Sequence, residues 1–150
     1  MRVALYQPDI PQNAGTILRL CACLDVPVDI IEPAGFPASD RAFRRAGLDY
    51  LDFVDMTRHR SFAAFQAWRR DDGPSRLILL TTRADTAHTA FAFANDDILL
   101  LGRESSGAPA NVHDAADARL RIPIRADLRS LNVAVTAAMA LGEALRQTRA

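Results

Sequence analysis

Short apolar runs alternate along the chain with amphipathic segments of helical period. The runs predict strands at residues 3–6, 26–31, 51–56, 76–81, 97–101 and 118–122, with a short extra strand at 88–93. The runs at 76–81 and 97–101 show no apolar–polar alternation, which is typical of a parallel sheet covered on both faces. The alternation of strands and helices predicts an α/β fold with a mainly parallel sheet flanked by helices. We expect one domain, residues 1–150.

Polar residues before apolar stripes predict where the helices begin. Asn13 is interpreted as the N-cap of the first helix, whose buried stripe is predicted to hold Ile17, Leu20, Cys21 and Leu24. Further helices are predicted at residues 39–46, 62–70, 109–116 and 131–147. Ser61 and Ser130 are the predicted N-caps of the third and the last of these five helices.

The charge balance excludes a protein that coats nucleic acid non-specifically. The 18 basic residues are all arginine, and 18 acidic residues bring the formal net charge to zero. Proteins that coat nucleic acid non-specifically are strongly basic, so any RNA contact must come from a local patch. Arginine suits such a patch because its planar guanidinium binds phosphate through two hydrogen bonds.

Cysteine and histidine positions predict no metal site. Cys21 and Cys23 are interpreted as small core residues of a protein in a reducing compartment, and His59, His88 and His113 as surface histidines. The first strand is too short and too soon interrupted by prolines to be a signal peptide, and no apolar run approaches the length of a membrane span. We therefore expect a cytoplasmic protein without a membrane partner.

Polar clusters follow three of the predicted strands at their carboxyl ends, where open α/β sheets bind ligands. They are residues 11–15 with Arg19, residues 101–107, and residues 122–132. Each also has a purely structural interpretation. Asn13 and Ser130 can act as helix caps only, Gly102 and Gly107 can serve turns, and Glu104 can be a solvated loop carboxylate. The second cluster lacks the glycine and lysine spacing of nucleotide-phosphate loops.

The same clusters carry a resemblance to a known family. The segments are Pro8-Asp-Ile-Pro-Gln-Asn13-Ala-Gly15-Thr-Ile-Leu-Arg19, Leu100-Leu-Gly102-Arg-Glu104-Ser-Ser-Gly107-Ala-Pro109, and Ile122-Pro123 with Arg129-Ser130-Leu-Asn132. In this order they resemble the SpoU (SPOUT) RNA 2′-O-methyltransferases, and most of all their small single-domain TrmL type. The resemblance implies a deep trefoil knot in the C-terminal part, an exception to the rule that chains do not thread loops.

The resemblance also implies a cofactor and partners. S-adenosyl-L-methionine would be bound by Leu80, Gly102, Ile122 and Ser130, mainly through backbone groups, and no metal is implied. The family forms homodimers that hold RNA across both subunits, with the knotted helices packed together. The last predicted helix has Leu131, Val135, Ala138, Gly142 and Leu145 on one face, and Val135, Ala138 and Gly142 would allow close helix packing. DNA is not an expected partner.

Five catalytic residues are implied by the resemblance: Asn13, Arg19, Glu104, Ser130 and Asn132. Because an arginine side chain has a reference pKa of about 12.5–13.8, we interpret Arg19 as a phosphate ligand that stabilises the developing oxyanion rather than as a base. A carboxylate against the sulfonium would stabilise the ground state, so Glu104 is expected to shape its loop. The predicted RNA-binding arginines are Arg19, Arg44, Arg45 and Arg129, extended by Arg41, Arg58, Arg60 and Arg125.

The resemblance thus predicts a tRNA 2′-O-methyltransferase that acts on the wobble nucleotide, position 34, a cytidine or modified uridine. The alternatives are a non-catalytic knotted RNA-binding protein and a 2′-O-methyltransferase for another site such as rRNA; relatives of the latter kind commonly carry an additional RNA-binding domain. The chain departs from the family pattern at two places. It reads Asn132-Val-Ala134 where the family often has Asn-Leu-Ser, and it has Gly142 where similar family members have a tyrosine. Both departures concern the placement of the wobble base.

Overall fold

A seven-stranded parallel sheet with helices on both faces forms the molecule in the computed structural model, which describes residues 1–149. The sheet order is β3-β2-β1-β6-β4-β7-β5. The strands are β1 (Arg2–Tyr6), β2 (Val28–Ile31), β3 (Met56–His59), β4 (Leu77–Leu80), β5 (Thr86–Ala87), β6 (Ile98–Leu101) and β7 (Ala118–Arg121). The helices are α1 (Pro11–Cys23), α2 (Arg41–Gly47), α3 (Phe62–Asp72), α4 (Ala110–Ala115) and α5 (Val133–Thr148).

The apolar core lies on both faces of the sheet. One face packs against α1 and α5 through residues such as Ile17, Leu18 and Leu141. The other packs against α3 and α4 through Phe65 and Val112. Every residue of β4 and β6 is therefore buried, as the unbroken apolar runs predicted. The predicted α/β fold with a parallel, helix-flanked sheet is confirmed, whereas the knot stays a prediction.

Two of the predicted strands are wrong. Residues 51–56 do not form one, because a 3₁₀ turn occupies Leu48–Asp52 and Phe53 is 77% exposed. The edge strand β3 begins only at Met56, where the chain pairs with Val28 of β2. The strand predicted at 88–93 is also misplaced, because β5 is formed by Thr86–Ala87 and a 3₁₀ turn follows it at His88–Ala90.

Helix starts were predicted unevenly. Ser61 caps α3 as predicted, since its hydroxyl accepts a hydrogen bond of 3.0 Å from the Ala64 N–H. Asn13 is not an N-cap, because α1 already begins at Pro11, whose fixed φ suits a first helical position. Ser130 is not one either. Asn132 caps α5, and its side-chain oxygen accepts from the N–H groups of Ala134 and Val135.

The predicted burial is wrong for two histidines and one cysteine. His59 and His88 are buried, and His59 Nε2 lies 2.8 Å from Oδ1 of the fully buried Asp29, which also pairs with Arg2. Cys21 is buried as predicted, and burial raises its thiol pKa to about 12, but Cys23 is exposed. The side chains of Arg2, Asp29 and His59 come from β1, β2 and β3, so no local sequence pattern indicates their contacts.

Candidate active site

A cavity of about 600 Å³ opens at the carboxyl ends of β4, β6 and β7. Its volume lies in the range that suits small-molecule ligands. Its lining comes from segments of all three polar clusters that the sequence indicates. Eight predicted site residues are among them: Asn13, Leu80, Gly102, Glu104, Ile122, Arg129, Ser130 and Asn132.

The loop from Gly102 to Gly107 forms one wall of the cavity and is tightly folded. The Gly107 N–H donates to the Arg103 carbonyl at 2.8 Å, and Gly107 has a φ of +69°, which favours glycine. A Cβ on Gly102 would lie 2.7 Å from the Ala108 nitrogen. Both glycines are therefore needed for the shape of the loop, so their structural and functional interpretations coincide.

A hydrogen bond of 2.9 Å joins the first and third clusters, from Asn132 Nδ2 to Asn13 Oδ1. The same Asn132 side chain caps α5 through its oxygen. Asn13 lies within the first turn of α1, so its amide is free to reach across to α5. The two asparagines thus tie the starts of two helices together at the cavity.

A second pair of contacts joins Asp9, in the turn before α1, to the second cluster. The Asp9 N–H donates to Glu104 Oε2 at 3.1 Å, and the Glu104 N–H donates to Asp9 Oδ1 at 3.2 Å. A hydrogen bond with Glu104 lowers the pKa of the Asp9 carboxyl to about 2. Burial, followed by the same hydrogen bond, raises the pKa of Glu104. Asp9 is therefore the ionised member of the pair, and Glu104 retains its proton more readily.

The predicted substrate residues are more dispersed. Arg19 is exposed and is not among the residues that line the cavity; its guanidinium carbon lies 4.8 Å from the centre of the Tyr50 ring. Arg44 and Arg45 are exposed in the last turn of α2, also away from the lining residues. Arg129 lies at the cavity itself. The structure therefore groups the cofactor and asparagine positions but leaves Arg19, Arg44 and Arg45 outside.

Some residues at the site were not assigned by sequence reasoning. They are Asp9 and Tyr50, described above, and the cavity-lining Thr81, His113 and Thr136. Thr81 directly follows β4, and Asp9 lies in the turn after β1, so their position beyond strand ends was the available signal. Tyr50 and Thr136 carry no such signal, because tertiary packing alone brings them to Arg19 and to the cavity.

Within residues 1–149, no group of three or more histidine, cysteine, aspartate or glutamate side chains is arranged to hold a metal ion. Over the same residues, the helices are too short or too polar to cross a membrane.

Comparison with known proteins decides the family. The model of the SpoU rRNA methylase family matches residues 1–142. The chain belongs to this family. The SpoU-family relative from Beijerinckia indica, named tRNA (cytidine(34)-2′-O)-methyltransferase, is 66% identical over 148 residues, which cover 99% of this chain and 92% of the relative. A protein of the same name from Escherichia coli K12 is 42% identical and covers 98% of this chain and 93% of its own length.

Solved structures of SpoU-type proteins share the fold. One from work on the 2-OH methylation of C/U34 on tRNA superposes with a TM-score of 0.92 at 40% identity, covering 97% of this chain and 94% of its own. The SpoU methyltransferase AviRb from Streptomyces viridochromogenes, in complex with the cofactor AdoMet, gives 0.89 at 27% identity, covering 98% of this chain and 60% of AviRb.

Proposed function

We propose that this SpoU-family protein transfers a methyl group from S-adenosyl-L-methionine to the ribose 2′-OH of the tRNA wobble nucleotide. The observation that carries the proposal is that all three clusters line one cavity. The Asn13–Asn132 hydrogen bond joins the first cluster to the third, and Asp9 holds Glu104 of the second. The names of the relatives from B. indica and E. coli support cytidine 34 as the nucleotide. Modified uridine at the same position is the second expected substrate.

The cavity fits the cofactor in size and in chemistry. Leu80, Leu101 and Ile122 supply apolar surface for an adenine ring, and the backbone groups beyond β4, β6 and β7 supply hydrogen-bond donors and acceptors for its edge. Ser130 and Thr136 add hydroxyls to the lining. S-adenosyl-L-methionine supplies an activated methyl group on a sulfonium. Leu80, Gly102, Ile122 and Ser130 are the residues that we assign to its binding.

Arg19 would act on the RNA rather than on the cofactor. A guanidinium is a strong donor of paired hydrogen bonds to phosphate and a poor proton acceptor. Arg19 is exposed, and its stacking on Tyr50 limits the directions in which the guanidinium can point. We assign it to binding the phosphate beside the target ribose and to stabilising the oxyanion as the 2′-OH reacts.

The other catalytic assignments are positioning ones. Asn13 and Asn132 hold the starts of α1 and α5 together, and Glu104 holds its loop against Asp9. Ser130 lies in the exposed segment before α5 and is part of the cavity lining. Arg44, Arg45 and Arg129 extend the RNA surface.

The proposed assembly is a homodimer formed through α5. Val135, Ala138, Met139 and Gly142 follow one another at helical spacing and are exposed, although most are apolar. A second copy of the chain would cover this face. Such contiguous apolar surface is typical of an interface. As a homodimeric tRNA enzyme the protein would work in the cytoplasm.

The deciding experiment combines the purified protein with labelled S-adenosyl-L-methionine and total tRNA, followed by mapping of the labelled nucleotide. We expect label at the ribose of nucleotide 34 and no transfer by the Arg19→Ala variant, while that variant still binds cofactor. Absence of label in tRNA, with label in rRNA, would move the activity to another RNA. Absence of label in every RNA would overturn the enzymatic proposal.

A further inference from the structure

Asp9 makes an unusual number of contacts with one loop. It lies in the turn between β1 and α1, and its carboxylate meets three successive residues of the loop that walls the cavity. Oδ1 accepts from the Glu104 N–H, Oδ2 accepts from the Ser105 hydroxyl, and Arg103 Nη2 lies 3.5 Å from Oδ2. The Asp9 N–H in turn donates to the Glu104 carboxyl at 3.1 Å.

The backbone around Asp9 is also in close contact with Gly35. The Gly35 N–H donates to the Pro8 carbonyl at 2.8 Å, and a Cβ on Gly35 would lie 2.9 Å from the Asp9 Cα. Gln7, in the same turn, accepts from Arg103 Nη1 at 3.2 Å. The turn after β1 is thus a fixed support against which the Gly102–Gly107 loop is bound.

The charges agree with this geometry. Two carboxylates so close would repel each other if both were ionised. A hydrogen bond with Glu104 lowers the pKa of Asp9, whereas burial, followed by that hydrogen bond, raises the pKa of Glu104. The ionised Asp9 carboxylate accepts hydrogen bonds from the Glu104 N–H and the Ser105 hydroxyl. Such hydrogen bonds are stronger when the acceptor is ionised.

We propose that Asp9 is a positioning residue for methyl transfer: it holds the Gly102–Gly107 loop, and with it Glu104, in the conformation that forms the cofactor wall of the cavity. The inference rests on the proposed function, because it assigns the cavity to S-adenosyl-L-methionine. Asp9 itself does not line the cavity, so it acts through the loop.

The test compares Asp9→Ala and Asp9→Asn with wild type in three measurements. These are the dissociation constant of S-adenosyl-homocysteine by calorimetry, hydrogen exchange of the amides in residues 102–107, and kcat and KM with tRNA. For Asp9→Ala we expect cofactor binding to weaken about tenfold or more, the factor of one charged hydrogen bond. The loop amides should exchange faster, while KM for tRNA stays unchanged.

Asp9→Asn provides the conservative comparison. Its amide oxygen can still accept from the Glu104 N–H, and its NH₂ can donate to the Glu104 carboxyl, but the charge is lost. We expect partial recovery of cofactor affinity and of loop protection. The matched control is Asp117→Ala, since Asp117 also accepts from a backbone N–H, that of Leu77 at 2.7 Å, but lies before β7 and away from the loop. It should leave cofactor affinity and the exchange of residues 102–107 unchanged.

Several results would overturn the inference. Wild-type loop exchange and cofactor affinity in Asp9→Ala would show that the contacts do not position the loop. Equal loss of cofactor affinity in Asp9→Ala and Asp117→Ala would show that the effect comes from a general loss of protein stability and not from the loop. If wild-type protein fails to bind cofactor, the proposed function fails, and the exchange measurement still decides whether Asp9 holds the loop.

Discussion

Asn132 serves the fold and the candidate site through different atoms of one side chain. Its oxygen caps α5, and its NH₂ group donates to Asn13. Asn132→Ala should lower the free energy of unfolding by about 1 kcal/mol, the usual cost of a lost N-cap. Asn132→Asp keeps a capping oxygen next to the positive end of the helix dipole but loses the donor to Asn13.

These two variants separate stability from catalysis. We expect urea unfolding of Asn132→Asp to lie within about 0.5 kcal/mol of wild type, with methyl transfer to tRNA reduced as far as in Asn132→Ala. Full activity in the aspartate variant would show that the Asn13 contact is dispensable.

Asp9 should give the protein a measurable dependence of stability on pH. Its folded pKa of about 2 lies below the ordinary value of 3.8, so its ionised form stabilises the folded state. That contribution is complete above pH 3.8 and is lost as pH falls towards 2. Glu104 has a raised pKa, so its contribution has the opposite sign and is lost as pH rises.

The comparison is therefore made in a Glu104→Gln background, where residue 104 does not titrate and the amide can still donate to Asp9. The difference in unfolding free energy between this variant and its Asp9→Asn derivative should shrink between pH 4 and pH 2. A constant difference over that interval would mean that Asp9 is not selectively stabilised as an anion.

The packing of α1 against α2 depends on Gly15. A Cβ there would lie 2.4 Å from the Phe43 carbonyl oxygen and 2.7 Å from the Ala46 Cβ. Backbone cannot move aside as a flexible side chain does, so Gly15→Ala should cost about 1–3 kcal/mol in unfolding free energy. Thr16→Ala, an exposed change on the same helix, is the control and should stay within about 0.5 kcal/mol. Wild-type stability of Gly15→Ala would mean that the helices separate readily.

The 3₁₀ turn at Leu48–Asp52 places Tyr50 beside Arg19 of α1. An exposed cation–π contact is worth about 0.5–1 kcal/mol, or roughly a two- to fivefold effect on a rate. Tyr50→Leu should lower kcat by this factor with cofactor affinity unchanged, whereas Tyr50→Phe keeps the ring and should match wild type. Equal losses in both variants would implicate the hydroxyl instead of the ring.

Sequence patterns predicted elements that are buried uniformly and failed where burial changes within a run. Strands β4 and β6 are apolar throughout, and each of their ends was predicted to within one residue. The run at 51–56 contains the exposed Phe53, which hydrophobicity alone cannot distinguish from a core residue. Two possible caps, Ser130 and Asn132, lie two residues apart, and only the path of the backbone decides between them.

The site shows the same division. The family resemblance indicated the cavity residues because they lie in local motifs at strand ends. It did not indicate Asp9 as the partner of Glu104, because the two residues are 95 positions apart and meet only through the order of strands in the sheet. The contacts of Asp29 with Arg2 and His59 were missed for the same reason.

An exposed apolar surface runs along α5, and the last prediction concerns it. Ala137, Ala140, Leu141 and Ala144 bury one side of the helix, while the other side exposes a face that includes Val135 and Met139. Leu128 and Leu131 are exposed in the segment before it. Because Met139 is 43% exposed in a single copy of the chain, a charge there should hardly affect the unfolding of that copy.

In a homodimer the same charge would be buried between two helices without a partner, which costs far more than one exposed charge. Met139→Lys should therefore sediment as a monomer at micromolar concentration, where we expect wild type to sediment as a dimer. Ala63→Lys, which adds the same charge at an exposed position of α3 on the other face of the sheet, should remain dimeric. A dimeric Met139→Lys would place the interface elsewhere, and a monomeric wild type would remove the homodimer from the proposed function.

The activity of the monomeric variant tests what the second copy does. If Met139→Lys loses methyl transfer but still binds cofactor, the second copy is needed to bind tRNA and not to form the cavity.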